Sequence, residues 1–175
     1  ESEVFELLET IKPVRGRMEL AATRRNGASV YVDYAHTPEA IEVALKSLKP
    51  HILGKLIVII GAGGERDEGK RPLMGLAAEK NSDFVIITDD NPRNEDPQLI
   101  HHMIKNGIKD KNKVMVIGDR AEAILKAVDL LGVGDCLLIA GKGHETEQFI
   151  GEDIFPFDDF EQASLSVSSL DGIER

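Results

Sequence analysis

Disulfides cannot organise this chain of 175 residues, because it carries one cysteine and a lone thiol has no partner inside the molecule. A cysteine-built zinc site is set aside with them. Cys136 lies in the apolar run Cys136-Leu-Leu-Ile-Ala140 and reads as a small buried hydrophobe. Basic residues are outnumbered: 21 Lys and Arg face 31 Asp and Glu, for a formal net charge of -10. That balance argues against nucleic acid or an anionic membrane as a partner, since both are bound through a basic face. No apolar run is long enough to cross a bilayer, and the N-terminus has no signal-peptide pattern. The expected compartment is the cytoplasm. Internal repeats and low-complexity tracts are missing too. The first residue is Glu1 rather than methionine, and the expectation is a piece of a longer protein.

What is present is a 42% hydrophobic content, enough for one domain with a sizeable core. Residues 1–15 read as a linker helix, with helical apolar spacing over Val4–Ile11 closed by Pro13. Residues 16–175 read as the domain. Its expected strands are Met18–Ala22, Ala28–Tyr34, Lys55–Ile60, Phe84–Thr88, Lys113–Ile117 and Cys136–Ala140. The continuous β-branched run Lys55–Ile60 marks a strand covered on both faces. Helices are expected over Pro38–Leu48, Leu73–Lys80, Pro97–Ile108, Arg120–Leu130 and Asp158–Val167, and a hairpin over Phe149–Phe155 turning at Gly151. Alternation with short connections specifies an α/β fold: a mainly parallel, Rossmann-like sheet with helices on both faces and an antiparallel edge hairpin.

In such a sheet, ligands bind beyond the carboxyl ends of the strands. Asp90-Asn-Pro-Arg93 follows the run Phe84-Val-Ile-Ile-Thr88 directly. Pro92 fixes its own φ and biases Asn91 toward extended backbone, so carboxylate, amide and guanidinium are held at a set splay. Arg93 can fork onto a carboxylate while Asp90 accepts from an ammonium, which suits a small zwitterion. The plain alternative is a turn whose polar side chains satisfy their own backbone. Gly141-Lys-Gly-His-Glu145 also follows a strand, and offers close backbone approach with a cation, an imidazole and an acceptor; its plain reading is a tight turn with solvated charges. In Asp33-Tyr-Ala-His-Thr-Pro38, Thr37 caps a helix opened by Pro38, which leaves Asp33, Tyr34 and His36 unexplained.

The loop Gly61–Arg71 reads G-x-x-x-x-G-K-R from Gly64. It lacks the hydroxyl that would hold magnesium in a phosphate-binding loop, and Glu65, Asp67 and Glu68 would repel phosphate. It also fails as a dinucleotide fingerprint, with Arg66 where the third glycine belongs. What it offers is Arg66, Lys70 and Arg71 at a strand end, available to an anion. Its plain reading is a glycine loop relieving crowding.

Gly16-Arg-Met-Glu19, Asp33–Pro38, Gly63–Pro72, Asp90–Arg93 and Gly141–Glu145, in that order, resemble the C-terminal domain of a Mur ligase over nearly the whole chain. More narrowly, they are similar to the branch adding the third peptide residue to UDP-N-acetylmuramoyl-L-alanyl-D-glutamate (UDP-MurNAc-L-Ala-D-Glu). In that branch Asp-Asn-Pro-Arg accompanies meso-diaminopimelate as the incoming amino acid. The resemblance implies that Asn91 and Arg93 hold carboxylate on a turn set by Pro92. It implies that Asp90, Glu145 and the Gly141 carbonyl take the distal ammonium, and that Arg71 anchors the other end. Arg17, Asp33 and His36 match positions used toward ATP. ATP and Mg2+ would be held mainly by a missing central domain, to which the linker helix would lead. No metal ligand and no catalytic residue is assigned to this chain, which is expected to be inactive alone. Two other classes remain: a nucleotide-binding Rossmann-type domain, and a receiver-like phosphoacceptor domain using Asp89 or Asp90 with Lys142.

Overall fold

The computed structural model describes residues 14–172; the helix expected over Val4–Ile11 and most of the linker lie outside them. Six strands form the main sheet: β1 (Glu19–Thr23), β2 (Ser29–Asp33), β3 (Leu56–Ile60), β4 (Phe84–Ile87), β5 (Val114–Val116) and β6 (Cys136–Ala140), in the order β1-β2-β6-β3-β4-β5. All neighbours run parallel except β1, which pairs antiparallel with β2. The expected hairpin exists as β7 (Glu147–Ile150) and β8 (Asp153–Pro156), but as a separate two-stranded sheet. The antiparallel edge of the main sheet is therefore β1. It starts one residue later than expected because Met18 takes a left-handed φ of 44° and belongs to the preceding turn.

Five helices cover the sheet: α1 (Pro38–Leu48), α2 (Lys70–Asn81), α3 (Pro97–Asn106), α4 (Arg120–Asp129) and α5 (Asp159–Asp171). Every residue of β3 and β6 is buried, as their unbroken apolar runs require. Alternate residues serve opposite layers: Leu56, Val58 and Ile60 pack with Ile41, Leu45, Met74 and Ile104, whereas Ile57 and Ile59 pack with Ile124, Val128 and Ala163. Helices α1, α2 and α3 thus form one layer, and α4 and α5 the other. Side-chain caps fix several helix starts: Thr37 Oγ1 accepts from the Ala40 N–H, and Asp96, Asp119 and Asp158 cap α3, α4 and α5.

This topology places the site. Strands β2 and β3 lead to α1 and α2 on one face, while the chain leaving neighbouring β6 returns as α5 on the other. The connections part there, and a crevice opens at the carboxyl edge.

Candidate functional site

The loops after β2, β3, β4 and β6 enclose a cleft of about 230 Å³. Asp90, Asn91 and Arg93 enter from the β4 loop, Gly141 and Glu145 from the β6 loop, Arg66 from the glycine loop after β3, and Tyr34 and His36 from the β2 loop, with Lys70 at the start of α2. All four strand-end stretches that the sequence singled out therefore meet.

One wall is acidic. Asp90 is buried, and its main-chain carbonyl accepts from Gln148 Nε2 at 2.8 Å. Among the described residues no donor engages its carboxylate. Burial pushes the Asp90 pKa up, although Arg120 and Lys142 pull against it. Gly141, at φ 120°, lies so close that a Cβ there would stand 2.7 Å from Asp90 Oδ2. Glu145 Oε2 accepts from Asn91 Nδ2 at 3.0 Å and from Lys142 Nζ at 3.1 Å. Asn91 Oδ1 accepts from Lys142 Nζ at 3.0 Å and from the Phe149 N–H at 3.1 Å, so the amide can face only one way.

The other wall is basic. Arg93 has a left-handed φ of 52°, a conformation that needs external support in a long side-chain residue. The hairpin gives it: the Arg93 N–H donates to the Phe149 carbonyl at 3.0 Å, and the Gly151 N–H donates to the Arg93 carbonyl at 2.7 Å. The guanidinium lies 6.0 Å from the Phe149 ring centre, and Nη1 donates to the Gly64 carbonyl at 3.0 Å. A Cβ on Gly64 would collide with the Pro92 carbonyl oxygen. The glycines after β3 thus let two loops close on each other rather than cradle phosphate.

Arg71, expected to anchor a ligand, is placed differently. It is fully buried and forks onto Glu95, with Nη2 2.8 Å from Oε2, and it donates to the Gly63 carbonyl at 3.3 Å. Its Nε has no partner, and the residue does not line the cleft. The cause is register: α2 begins at Lys70, earlier than expected, and its first turn sends Arg71 inward. Arg66, still on the loop, is exposed and lines the cleft. Pro92 is buried and its carbonyl accepts from the Glu95 N–H at 3.1 Å, a turn-setting role.

Residues expected to face ATP separate in the same manner. Asp33 accepts from the Met18 and Ala35 N–H groups, both at 2.8 Å, so its two oxygens are engaged by backbone. Arg17 lies 5.3 Å from the Tyr34 ring centre, and Tyr34 contacts His36 and His144 at 4.6 and 5.3 Å between centroids. Arg17 and His36 therefore share an exposed cationic and aromatic rim suited to a nucleotide, while Asp33 braces the loops beneath it. Among the described residues no group of three or more His, Cys, Asp or Glu side chains is placed to hold a metal ion. None of their helices is long and apolar enough to cross a membrane.

A family model for the Mur ligase, glutamate ligase domain, matches residues 16–143. The chain belongs to that family. This displaces the dinucleotide and receiver alternatives; Lys142, for instance, serves Asn91 and Glu145, while Asp89 Oδ1 stands 2.7 Å from His101 Nε2. The Mur ligase domain is 49% identical over 166 residues to the UDP-N-acetylmuramoyl-L-alanyl-D-glutamate--2,6-diaminopimelate ligase of Bradyrhizobium diazoefficiens, covering 95% of this chain and 33% of that protein. It is also 49% identical over 160 residues to the same-named ligase of Coxiella burnetii, covering 91% of this chain and 32% of that one. A solved structure of such a ligase superposes with a TM-score of 0.86 at 38% identity, covering 96% of this chain and 34% of that one. The Mur ligase domain thus spans about a third of the length of the relatives it matches.

Proposed function

We propose that this Mur ligase domain binds the incoming amino acid, meso-diaminopimelate, in an ATP-dependent ligase that joins it to UDP-MurNAc-L-Ala-D-Glu. The observation carrying this reading is the two-walled cleft, with Asp90 and Glu145 opposite Arg93 and Arg66. Meso-diaminopimelate differs from lysine by a carboxylate on the distal carbon. In the proposed pose Arg93 forks onto that carboxylate beside Asn91, while Asp90, Glu145 and the Gly141 carbonyl take the distal ammonium. Facing lysine, Arg93 would be left unpaired next to a like charge, and that penalty sets selectivity. Arg66, on the cleft wall, takes the anchoring role first expected of Arg71.

ATP would supply the activation of the glutamate side carboxyl, with Mg2+ assisting, and Arg17 and His36 would contribute a rim to the nucleotide. This chain's own part is to bind and orient the amine that attacks. ATP and the UDP-linked precursor place such a ligase in the bacterial cytoplasm.

The test is NMR titration of the labelled chain with meso-diaminopimelate and, separately, L-lysine, with Arg93→Ala as control. Shifts at residues 90–93 and 141–145 with meso-diaminopimelate alone, lost in the variant, are expected. An equal response to lysine would refute the selectivity argument, and silence toward both would refute binding by this domain.

A further inference from the structure

Lys142 is fully buried, and its ammonium reaches three acceptors: Asn91 Oδ1 at 3.0 Å, Glu145 Oε2 at 3.1 Å and the Glu147 carbonyl at 2.6 Å. An ammonium has three N–H groups, so none is left for a ligand. Burying a lysine costs several kcal/mol before its partners are counted, and an apolar side chain of like size would fill the space more cheaply. The placement therefore calls for another explanation than packing. Two of its three partners are side chains lining the cleft.

We infer that Lys142 is a positioning residue: it orients the Asn91 amide and supplies the internal counter-charge between the Asp90 and Glu145 carboxylates that receive a ligand ammonium. The inference rests on the amino-acid-binding reading above and names what makes that acidic wall usable. With Asn91 Oδ1 held by Lys142 and the Phe149 N–H, the Asn91 NH2 is turned onto Glu145.

The charges around this point come from every packed element. Asp90 stands at the β4 end and Glu145 on the β6 loop, with Arg93, Arg66, Lys70 and His36 elsewhere around the cleft. Arg120 of α4 is spent on Asp159 of α5, with Nε–Oδ1 and Nη2–Oδ2 both 2.7 Å, so that pair is internally neutral. Counted as formal charges, Lys142 leaves the Asp90–Glu145 wall with one net negative charge, the complement of one ammonium. Without it, Asp90 keeps the Glu145 carboxylate as a neighbour and loses a cation, and takes up a proton at a higher pH than before. Lys142 is also among the groups that lower the Asp90 pKa.

Calorimetric titration with meso-diaminopimelate, from about pH 5.5 to about pH 8.5, tests this on wild type and Lys142→Met. The wild type is expected to bind with little pH dependence. The variant is expected to bind at least about tenfold more weakly at the acidic end, the loss expected for a charged hydrogen bond, and to recover part of that as pH rises. A merely structural lysine would lower the melting temperature without tilting the pH profile. Should Lys142→Met not fold, the ζ-15N resonance of wild-type Lys142 decides: a protected ammonium that shifts on ligand addition supports the role, and a freely exchanging or unresponsive one overturns it. Wild-type binding with an unchanged variant profile overturns this inference alone. No binding by wild type overturns the amino-acid reading and this inference together.

Discussion

At the scale of single residues, Arg71 and Arg66 are proposed to divide stability from recognition. Replacing Arg71 by Met leaves Glu95 without its fork, and Glu95 is only partly exposed. Breaking such a pair by removing one partner is expected to cost about 2–4 kcal/mol, read as a lower urea midpoint. Arg66→Ala, at an exposed position, should move stability by less than about 0.5 kcal/mol, yet weaken meso-diaminopimelate binding about tenfold or more. The opposite pattern would return the anchoring role to Arg71. Asp90 makes the complementary case. Burial raises its folded pKa above the unfolded value, so the folded state holds the proton more tightly. Stability then falls as pH rises from the ordinary carboxylate range through the folded pKa. Asp90→Asn is therefore expected to stabilise the domain by about 1 kcal/mol at pH 7, to lose that advantage in acid, and to abolish ligand binding; melting curves across pH check the first two. Chain order made the cluster of Asp90, Asn91, Arg93, Gly141 and Glu145 legible, because each follows an apolar strand. It gave no sign that Lys142 turns inward or that Arg71 meets Glu95, since both depend on where loops cross.

At the scale of elements, the continuous apolar runs of β3 and β6 fixed strand identity in advance, and Thr37-Pro38 marked the start of α1 to the residue. The hairpin was legible as a hairpin but not in its task. Its strands β7 and β8 bond each other, and the Phe149 carbonyl and Gly151 N–H hold Arg93 instead of a sheet edge. A turn sequence encodes pairing within itself, whereas its docking partner lies far along the chain. The start of α2 was missed because Gly69 and Lys70 read as loop, and that extra turn carries Arg71 inward to Glu95. The α2–α3 contact yields a test. Gly75 is buried in α2, and a Cβ there would collide with the Ile104 carbonyl oxygen of α3. Alanine is the better helix former by about 1 kcal/mol, so propensity alone predicts a gain from Gly75→Ala. Backbone cannot yield as a side-chain tip does, and overpacking is expected to win by about 1–3 kcal/mol. A denaturation midpoint above wild type would show that the two helices are free to part.

At the scale of the whole molecule, the proposed function makes this cleft one part of a larger site. Its acidic and basic walls complement a zwitterion, yet the sequence contains no phosphate-binding loop with a magnesium-holding hydroxyl, since Gly64–Arg71 ends in Lys-Arg. The described residues also lack a metal-holding cluster, and the relatives are about three times as long. The proposed reading assigns recognition and activation to different parts of the ligase. The chain by itself is expected to bind meso-diaminopimelate but to release no phosphate from ATP and form no peptide bond, even with UDP-MurNAc-L-Ala-D-Glu and Mg2+ supplied. Binding should also be weaker than in a full-length ligase, because an open cleft leaves the ligand partly hydrated and the loops unpaired on one side. Calorimetry on the two forms, beside a phosphate-release assay of the purified chain, separates these statements. Equal affinity in both forms would mean that these loops are complete as a binding site and that closure serves chemistry alone. Steady phosphate release by this chain, abolished by Arg17→Ala, would instead place an ATP-hydrolysing site on the Tyr34 and His36 rim and undo the division of labour.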